Sequence, residues 1–191
     1  GKSASLGIVV DPEGFQPGTE RPKDFAKFWK QEKKALDVMP MEIRSVAVED
    51  VESGYVCFNV EINCTSTKPV RGYFAKPDSA QPGSLPIVLI VRAAGVKGIW
   101  CQSNPEEALR FAKMGKGALA FDLNAHGMLN GQPQKYYDDL EAGELKDYYF
   151  KGLENRNDFY FRGMYLRLIR TLDFLTGRPE WDGERILVIG E

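Results

Sequence analysis

The chain has 191 residues, of which 43% are hydrophobic and 27% are charged, and its formal net charge is −2. This composition is typical of a soluble globular protein, and the length is enough for one domain with a sizeable core. The nearly balanced charge predicts neither a nucleic-acid nor a membrane-surface partner, and no apolar run is long enough to cross a bilayer.

The first elements along the chain are a linker and a helix. Residues 1–14 join a short apolar stretch to proline and glycine, which predicts a linker or the tail of a preceding domain, with a domain following over 15–191. Large apolar side chains then fall near one face of a helix predicted over 22–37: Phe25, Phe28, Trp29 and Leu36.

Three strand-like segments follow, at 43–51, 55–64 and 70–75, and turn residues separate them. Their alternating apolar side chains predict an antiparallel meander at one edge of a sheet. Cys57 and Cys64 share the second segment, so strand geometry places them more than about 20 Å apart, too far for a disulfide. We therefore favour free, buried thiols.

The pattern then changes to continuous apolar runs at 86–91, 118–122 and 185–190. Such runs are typical of parallel strands that are buried on both faces. Predicted helices over 104–114 and from 159 to about 176 separate them, whereas residues 123–158 contain no clear element. Strands that alternate with helices predict right-handed crossovers, and hence a mixed α/β sheet with a parallel core.

Ligands of an open α/β sheet bind outside the carboxyl ends of its parallel strands. Three such ends follow the apolar runs: Arg92 to Gly95, Asp122 to Gly127, and Gly190-Glu191. A strand ending in Gly-Glu matches the first half of the Gly-x-Ser-x-Gly elbow of serine hydrolases, although an ordinary strand–loop junction is the alternative. No phosphate-binding glycine motif follows any strand, which argues against a nucleotide-binding domain.

Several segments resemble the acetyl xylan esterase/cephalosporin-C deacetylase family. The opening is Pro22-Lys-Asp-Phe-Ala-Lys-Phe-Trp29, followed by Met39-Pro40. Arg71-Gly-Tyr-Phe-Ala-Lys-Pro77, Leu85 to Val91 and Phe121-Asp-Leu-Asn-Ala-His-Gly127 are similar to later family segments. The most specific match begins at Phe159-Tyr-Phe-Arg-Gly and continues through Pro179-Glu-Trp-Asp-Gly-Glu-Arg-Ile to Gly190. Together the segments cover residues 12–191.

The resemblance implies an α/β-hydrolase with a mostly parallel mixed sheet and antiparallel edge strands, truncated just before the nucleophile. The catalytic serine is then expected directly after Glu191, with Gly190 as the small residue of the elbow. The triad order of nucleophile, acid and histidine places every triad member beyond Glu191. Ala94 occupies the slot of a family tyrosine whose backbone N–H helps to form the oxyanion hole. A non-proline residue retains that N–H, but the tyrosine ring is missing.

The implied activity is that of a serine carboxylesterase that removes acetyl groups from sugars such as xylan, without a metal or organic cofactor. We expect a secreted or periplasmic protein whose partners are its ester substrate and the remainder of the same protein, and which forms homo-oligomers as family members do. The altered segment from Arg92 to Gly95 keeps a second interpretation open, a catalytically inactive binding module. An unrelated nucleotide-binding domain is the third.

Three further features attract a functional interpretation. His126 is the only histidine, but it precedes the nucleophile, so we expect a structural or pocket-lining residue that is dispensable for proton transfer. Asp122 is expected to be a strand-end turn residue rather than the triad acid. The tyrosines of 136–139 and 148–149 are expected at the loop surface or in a pocket wall, with a carbohydrate platform as the alternative.

Overall fold

A computed structural model describes residues 10–66 and 68–190 of the protein. The greater part of the predicted linker, residues 1–9, and the predicted elbow residue Glu191 lie outside the described residues. Of the remainder of the linker, Pro12–Gly14 form a single 3-10 turn. Within the described ranges, no helix is both long enough and apolar enough to span a membrane.

The first helix, α1, runs over Phe25–Asp37 and confirms the helix predicted at this position. It packs on the outside of the last helix, α4, which runs over Tyr160–Thr176. The ring of Trp29 meets that of Tyr165 edge to face, with 5.8 Å between the ring centroids. Leu36 is fully buried. The apolar face of α1 is therefore a packing surface.

The strands form one six-stranded sheet in the order β1-β2-β3-β5-β4-β6. They are β1 Ile43–Ala47, β2 Tyr55–Ile62, β3 Val70–Pro77, β4 Leu85–Val91, β5 Leu119–Leu123 and β6 Trp181–Gly190. The first three form the predicted antiparallel meander. β3 joins the rest of the sheet by an antiparallel pairing with β5, whereas β4 pairs parallel with both β5 and β6.

The predicted mixed sheet with antiparallel edge strands is thus confirmed. In the described part, however, three of the five pairings are antiparallel, so parallel strands form one half of the sheet rather than most of it. The reason is that β3, the last strand of the meander, pairs antiparallel with β5. The other half, β5-β4-β6, is parallel. The carboxyl ends of its strands meet at one edge, which is where a hydrolase site is expected.

Two apolar cores cover the faces of the sheet. On one face, α4 places Phe174 and Leu175 against Leu89 and Phe121. On the other, α2 over Pro105–Ala112 packs small side chains against β4 and β5. β4 and β5 are consequently buried on both faces, as their unbroken apolar runs predicted.

β6 corrects one expectation. It was predicted to be buried on both faces like its parallel neighbours, but Ile186, Leu187 and Val188 are 45%, 47% and 55% exposed. The cause is its position, because β6 is the last strand of the described sheet and pairs only with β4. An apolar run therefore identified the strand but not how far it is covered.

Residues 123–158 are also more regular than predicted. They contain α3 over Gln134–Ala142 and a 3-10 turn over Tyr148–Phe150. The tertiary structure stabilises α3, since the Tyr137 side chain is fully buried. Its hydroxyl donates to the carbonyl of Leu129 at 2.9 Å and accepts from the N–H of Gln132 at 3.2 Å. Most residues of α3 are polar, so the apolar periodicity was too weak to reveal it.

Candidate active site

The candidate site lies where three parallel strands end together. In the registers of the sheet, Val91 at the end of β4 faces Leu123 on one side and Gly190 on the other. The loops that leave these positions therefore start at one edge of the sheet. Because this edge carries the carboxyl ends of the strands, it is where an α/β sheet binds ligands.

A buried ion pair anchors the loop that leaves β4. Arg92 donates to both carboxylate oxygens of Asp122, from Nε at 2.8 Å and from Nη2 at 2.7 Å. The same carboxylate accepts from the backbone N–H of Asn104 at 3.0 Å. Burial raises the pKa of Asp122, while the Arg92 guanidinium opposes that rise. A bidentate pair of this kind fixes both loop ends in one geometry.

Asp122 is accordingly not a turn residue, which corrects the expectation for it. It lies within β5 and is fully buried, with both oxygens occupied. The tight turn comes after the strand instead. There the Asn124 side chain accepts from the N–H of His126 and of Met128, both at 3.2 Å, and Gly127 adopts a φ of 65°. Only glycine takes that conformation without strain.

Ala94 lies in the loop after β4, as predicted, and is partly exposed. Its carbonyl oxygen accepts two side-chain hydrogen bonds, from Nε2 of His126 at 3.0 Å and from the hydroxyl of Tyr148 at 2.6 Å. Its own N–H has no hydrogen-bond acceptor within residues 10–66 and 68–190. The N–H therefore remains free to donate to a ligand, and the oxyanion role stays a prediction.

Both ring nitrogens of His126 are engaged, and the ring is buried. Since a carbonyl can only accept, Nε2 carries the proton, and Nδ1 accepts from the hydroxyl of Tyr160 at 2.7 Å. Burial lowers the pKa of His126, which favours this neutral ring. Burial also raises the pKa of Tyr160 to about 12, so its hydroxyl remains a donor. The expected structural role of His126 fits this geometry.

At the end of β6, the third strand end, the structure describes the chain only as far as Gly190. Gly190 is the last residue of β6, and a Cβ built on it would meet no atom of the described chain within 4 Å. The expected need for a small residue at this position therefore stays a prediction. Glu191 and the elbow that we expect after it lie outside the described residues.

Comparison with known proteins adds the family to this geometry. Residues 12–191 match the acetyl xylan esterase (AXE1) family. The chain belongs to the acetyl xylan esterase family. It is 27% identical over 186 residues to the acetyl esterase Axe7A of Xylanibacter ruminicola, a match that covers 96% of this chain and 41% of that protein.

Solved structures share the fold of this chain. The acetyl xylan esterase from Paenibacillus sp. R4 superposes with a TM-score of 0.69 at 29% identity, over 92% of this chain and 54% of that one. Acetyl xylan esterase 1 from Thermoanaerobacterium sp. JW/SL YS485 has a TM-score of 0.62 at 16% identity, over 88% and 50%, and it supports the fold alone. The esterase-family chain thus spans about half the length of these relatives.

The sequence of this family member did not predict three contacts of the site, namely the ion pair of Arg92 with Asp122, the bond of Tyr148 to Ala94 and the bond of Tyr160 to His126. The ion pair had a usable signal, since Arg92 and Asp122 stand at the ends of neighbouring apolar runs. Tyr148 was expected only at the loop surface or in a pocket wall, and nothing in its segment, which has no periodicity, linked it to Ala94. Tyr160 was assigned only to the start of a helix. Of the tyrosines at 148–149, Tyr149 is 46% exposed, which agrees with the expected surface position, whereas the ring of Tyr148 packs against those of His126 and Tyr160. Those at 136–139 belong to α3, where Tyr137 is buried, and not to a surface loop.

Proposed function

We propose that the intact protein is a serine carboxylesterase that removes acetyl groups from carbohydrates such as xylan. The observation that carries this proposal is the register of β4 and β6, in which Gly190 stands opposite Val91. The residue that follows Glu191 then lies beside the loop that carries Ala94. A nucleophile and an oxyanion donor have to be neighbours in this way, because both act on the same carbonyl group.

The proposed chemistry proceeds in two steps. The serine hydroxyl attacks the carbonyl carbon of the acetyl group, and a histidine accepts the proton of the hydroxyl. The N–H of Ala94 donates to the developing oxyanion. The sugar alcohol leaves with that proton, and the acetyl group stays on the serine. Water then attacks the acetyl-enzyme and releases acetate. We place the serine, the histidine and the triad acid in the part of the protein that follows Glu191.

Membership of the family supports an enzyme, and two of the relatives are named as an acetyl esterase and an acetyl xylan esterase. The alternative, an inactive binding module, rests on the segment from Arg92 to Gly95, which lacks the family tyrosine. The structure favours the enzyme in one respect. The family tyrosine is missing at a position where the backbone N–H, which does not depend on the side chain, has no acceptor among the described residues.

The test uses the intact protein. We expect release of acetate from acetylated xylan, labelling by a serine-directed fluorophosphonate, and loss of both when the residue after Glu191 is changed to alanine. A folded intact protein that releases no acetate and takes up no label would establish the binding module instead. Hydrolysis without labelling would place the chemistry elsewhere.

We also propose that the protein acts outside the cytoplasm and forms a homo-oligomer. A polymeric substrate such as xylan supports the first part, since it does not enter cells. Fractionation of producing cells and light scattering of the purified intact protein test the two parts separately. A cytoplasmic protein would contradict the first, and a monomer at micromolar concentration the second.

A further inference from the structure

The carbonyl of Ala94 is held by side chains from two distant parts of the chain. His126 belongs to the loop after β5, and Tyr148 to the 3-10 turn that follows α3. A backbone carbonyl offers two lone pairs, and these two donors occupy both. A third segment takes part indirectly, because the hydroxyl of Tyr160 on α4 holds the His126 ring in the required tautomer.

These contacts restrict the backbone on one side of the Ala94 N–H. A peptide unit is planar, so fixing the carbonyl of Ala94 fixes the whole plane that joins it to Gly95. The ion pair between Arg92 and Asp122 restrains the chain on the other side. Only the ψ torsion of Arg92 and the backbone torsions of Ala93 and Ala94 remain between the two anchors. The direction of the Ala94 N–H is therefore restricted by side chains that do not themselves reach the N–H.

We propose that Tyr148 and His126 are positioning residues for the oxyanion donor at Ala94, an inference that rests on the proposed esterase function. A preorganised N–H stabilises the transition state because it needs no reorientation when charge develops on the oxygen. Loss of one of the two carbonyl bonds widens the range of orientations of the peptide. The consequence is weaker stabilisation of the transition state, with little effect on binding of the ester.

Tyr148 is suited to a test because its ring and its hydroxyl have separable roles. The ring packs edge to face on His126, at 4.6 Å between centroids, and lies 5.0 Å from the ring of Tyr160. Tyr148→Phe retains these ring contacts and removes only the bond to Ala94. The neighbouring Tyr149 offers a matched control, since its hydroxyl contacts the exposed side chain of Asp147 at 3.3 Å.

The experiment measures kcat and KM of the intact protein with 4-nitrophenyl acetate, with active sites counted by fluorophosphonate labelling. One lost hydrogen bond of about 1 kcal/mol corresponds to roughly a fivefold fall in kcat for Tyr148→Phe, with KM within about twofold of wild type. The inhibition constant of a boronic acid, which mimics the tetrahedral intermediate, should rise by a similar factor. Tyr149→Phe should match wild type in kcat, in KM and in the inhibition constant of the boronic acid.

The possible outcomes separate failure of the positioning role from failure of the proposed esterase function. A purely packing role for Tyr148 would lower the melting temperature or the number of active sites but leave kcat per active site unchanged, and that result overturns the inference alone. A folded wild-type protein without esterase activity rejects the proposed function, and the inference falls with it. If Tyr148→Phe does not fold, His126→Gln is judged by the same split between kcat and KM.

Discussion

The guanidinium of Arg92 donates to both carboxylate oxygens of Asp122, and these two residues stand at the ends of neighbouring parallel strands. Asp122 also holds the start of α2, through the N–H of Asn104 and through its own carbonyl, which accepts from Ser103 at 2.6 Å. One carboxylate therefore joins the end of β4, the end of β5 and the first turn of α2. The loop that carries Ala94 leaves from this junction.

Asp122→Asn should strongly destabilise the intact protein. It removes the carboxylate charge from the buried bidentate pair with Arg92, and breaking a buried pair in this way costs about 3 kcal/mol or more. Urea unfolding followed by fluorescence measures the loss. Glu107→Gln is the control, because its partner Arg110 is exposed and the variant should unfold close to wild type. Equal unfolding midpoints for both variants would contradict the role of this junction.

Ala94→Pro should abolish the proposed oxyanion donor, because proline has no N–H. We expect turnover by the intact protein to fall by about 100-fold, the usual effect of removing one such donor. Ala94→Gly keeps the N–H and should stay within several-fold of wild type, which separates the donor from the side chain. Ester hydrolysis by both folded variants provides the measurement. Unchanged turnover in the proline variant would reject the role.

His126 should not act as a proton acceptor in catalysis. Its Nε2 carries a proton that is donated to a carbonyl, and its Nδ1 already accepts from Tyr160. The intact His126→Ala protein should keep more than about a tenth of its activity, since a catalytic base matters by roughly 100-fold or more. The apparent pKa of the rate profile should stay at its wild-type value. A folded variant without activity would overturn this assignment.

The same residue predicts how stability depends on pH. Burial holds the pKa of His126 below its ordinary value of 6.5. Below pH 6.5 the unfolded chain therefore binds a proton that the folded chain still refuses, so stability falls as the pH drops from 6.5 towards the lowered pKa. The groups around the ring are Tyr148, Tyr160 and Arg167, and none of them titrates in this window.

Urea unfolding midpoints at pH 7.5 and 5.5 test this dependence. Wild type should lose stability at the lower pH, and His126→Gln should lose less, because glutamine has no proton to bind. Carboxylates contribute the same background to both proteins. An identical loss in wild type and variant would show that His126 does not couple folding to pH.

The exposed apolar side chains of β6 predict poor stability for the polypeptide of residues 1–191 expressed alone. Ile186, Leu187 and Val188 lie open to solvent, whereas parallel strands normally have both faces covered. We expect the isolated polypeptide to bind a hydrophobic dye and to melt at a lower temperature than the intact protein. Ile186→Thr with Val188→Thr should reduce dye binding without further loss of melting temperature. A polypeptide that melts like the intact protein would contradict this expectation.

The sequence by itself determined the parts of the fold that depend on local pattern. Unbroken apolar runs identified β4, β5 and β6, and the alternating segments identified the meander. The Asn104-Pro105 start of α2 was readable because capping is local, and Asn104 Oδ1 accepts from the N–H of Glu107 at 2.8 Å. Distinctive segments also identified the family, and chain order by itself predicts that His126 is not a member of the triad.

Only the tertiary structure decided what the candidate site is made of. The donors to the carbonyl of Ala94 come from positions 32 and 54 residues further along the chain, and no local pattern links them to it. Tyr148 lies in a segment without periodicity, and α3 is held by contacts of Tyr137 rather than by its own propensity. Coverage of β6 depends on what packs against it, which an apolar run does not encode. Hydrogen bonds between distant segments exist only after the chain has folded, so they were beyond the reach of the sequence.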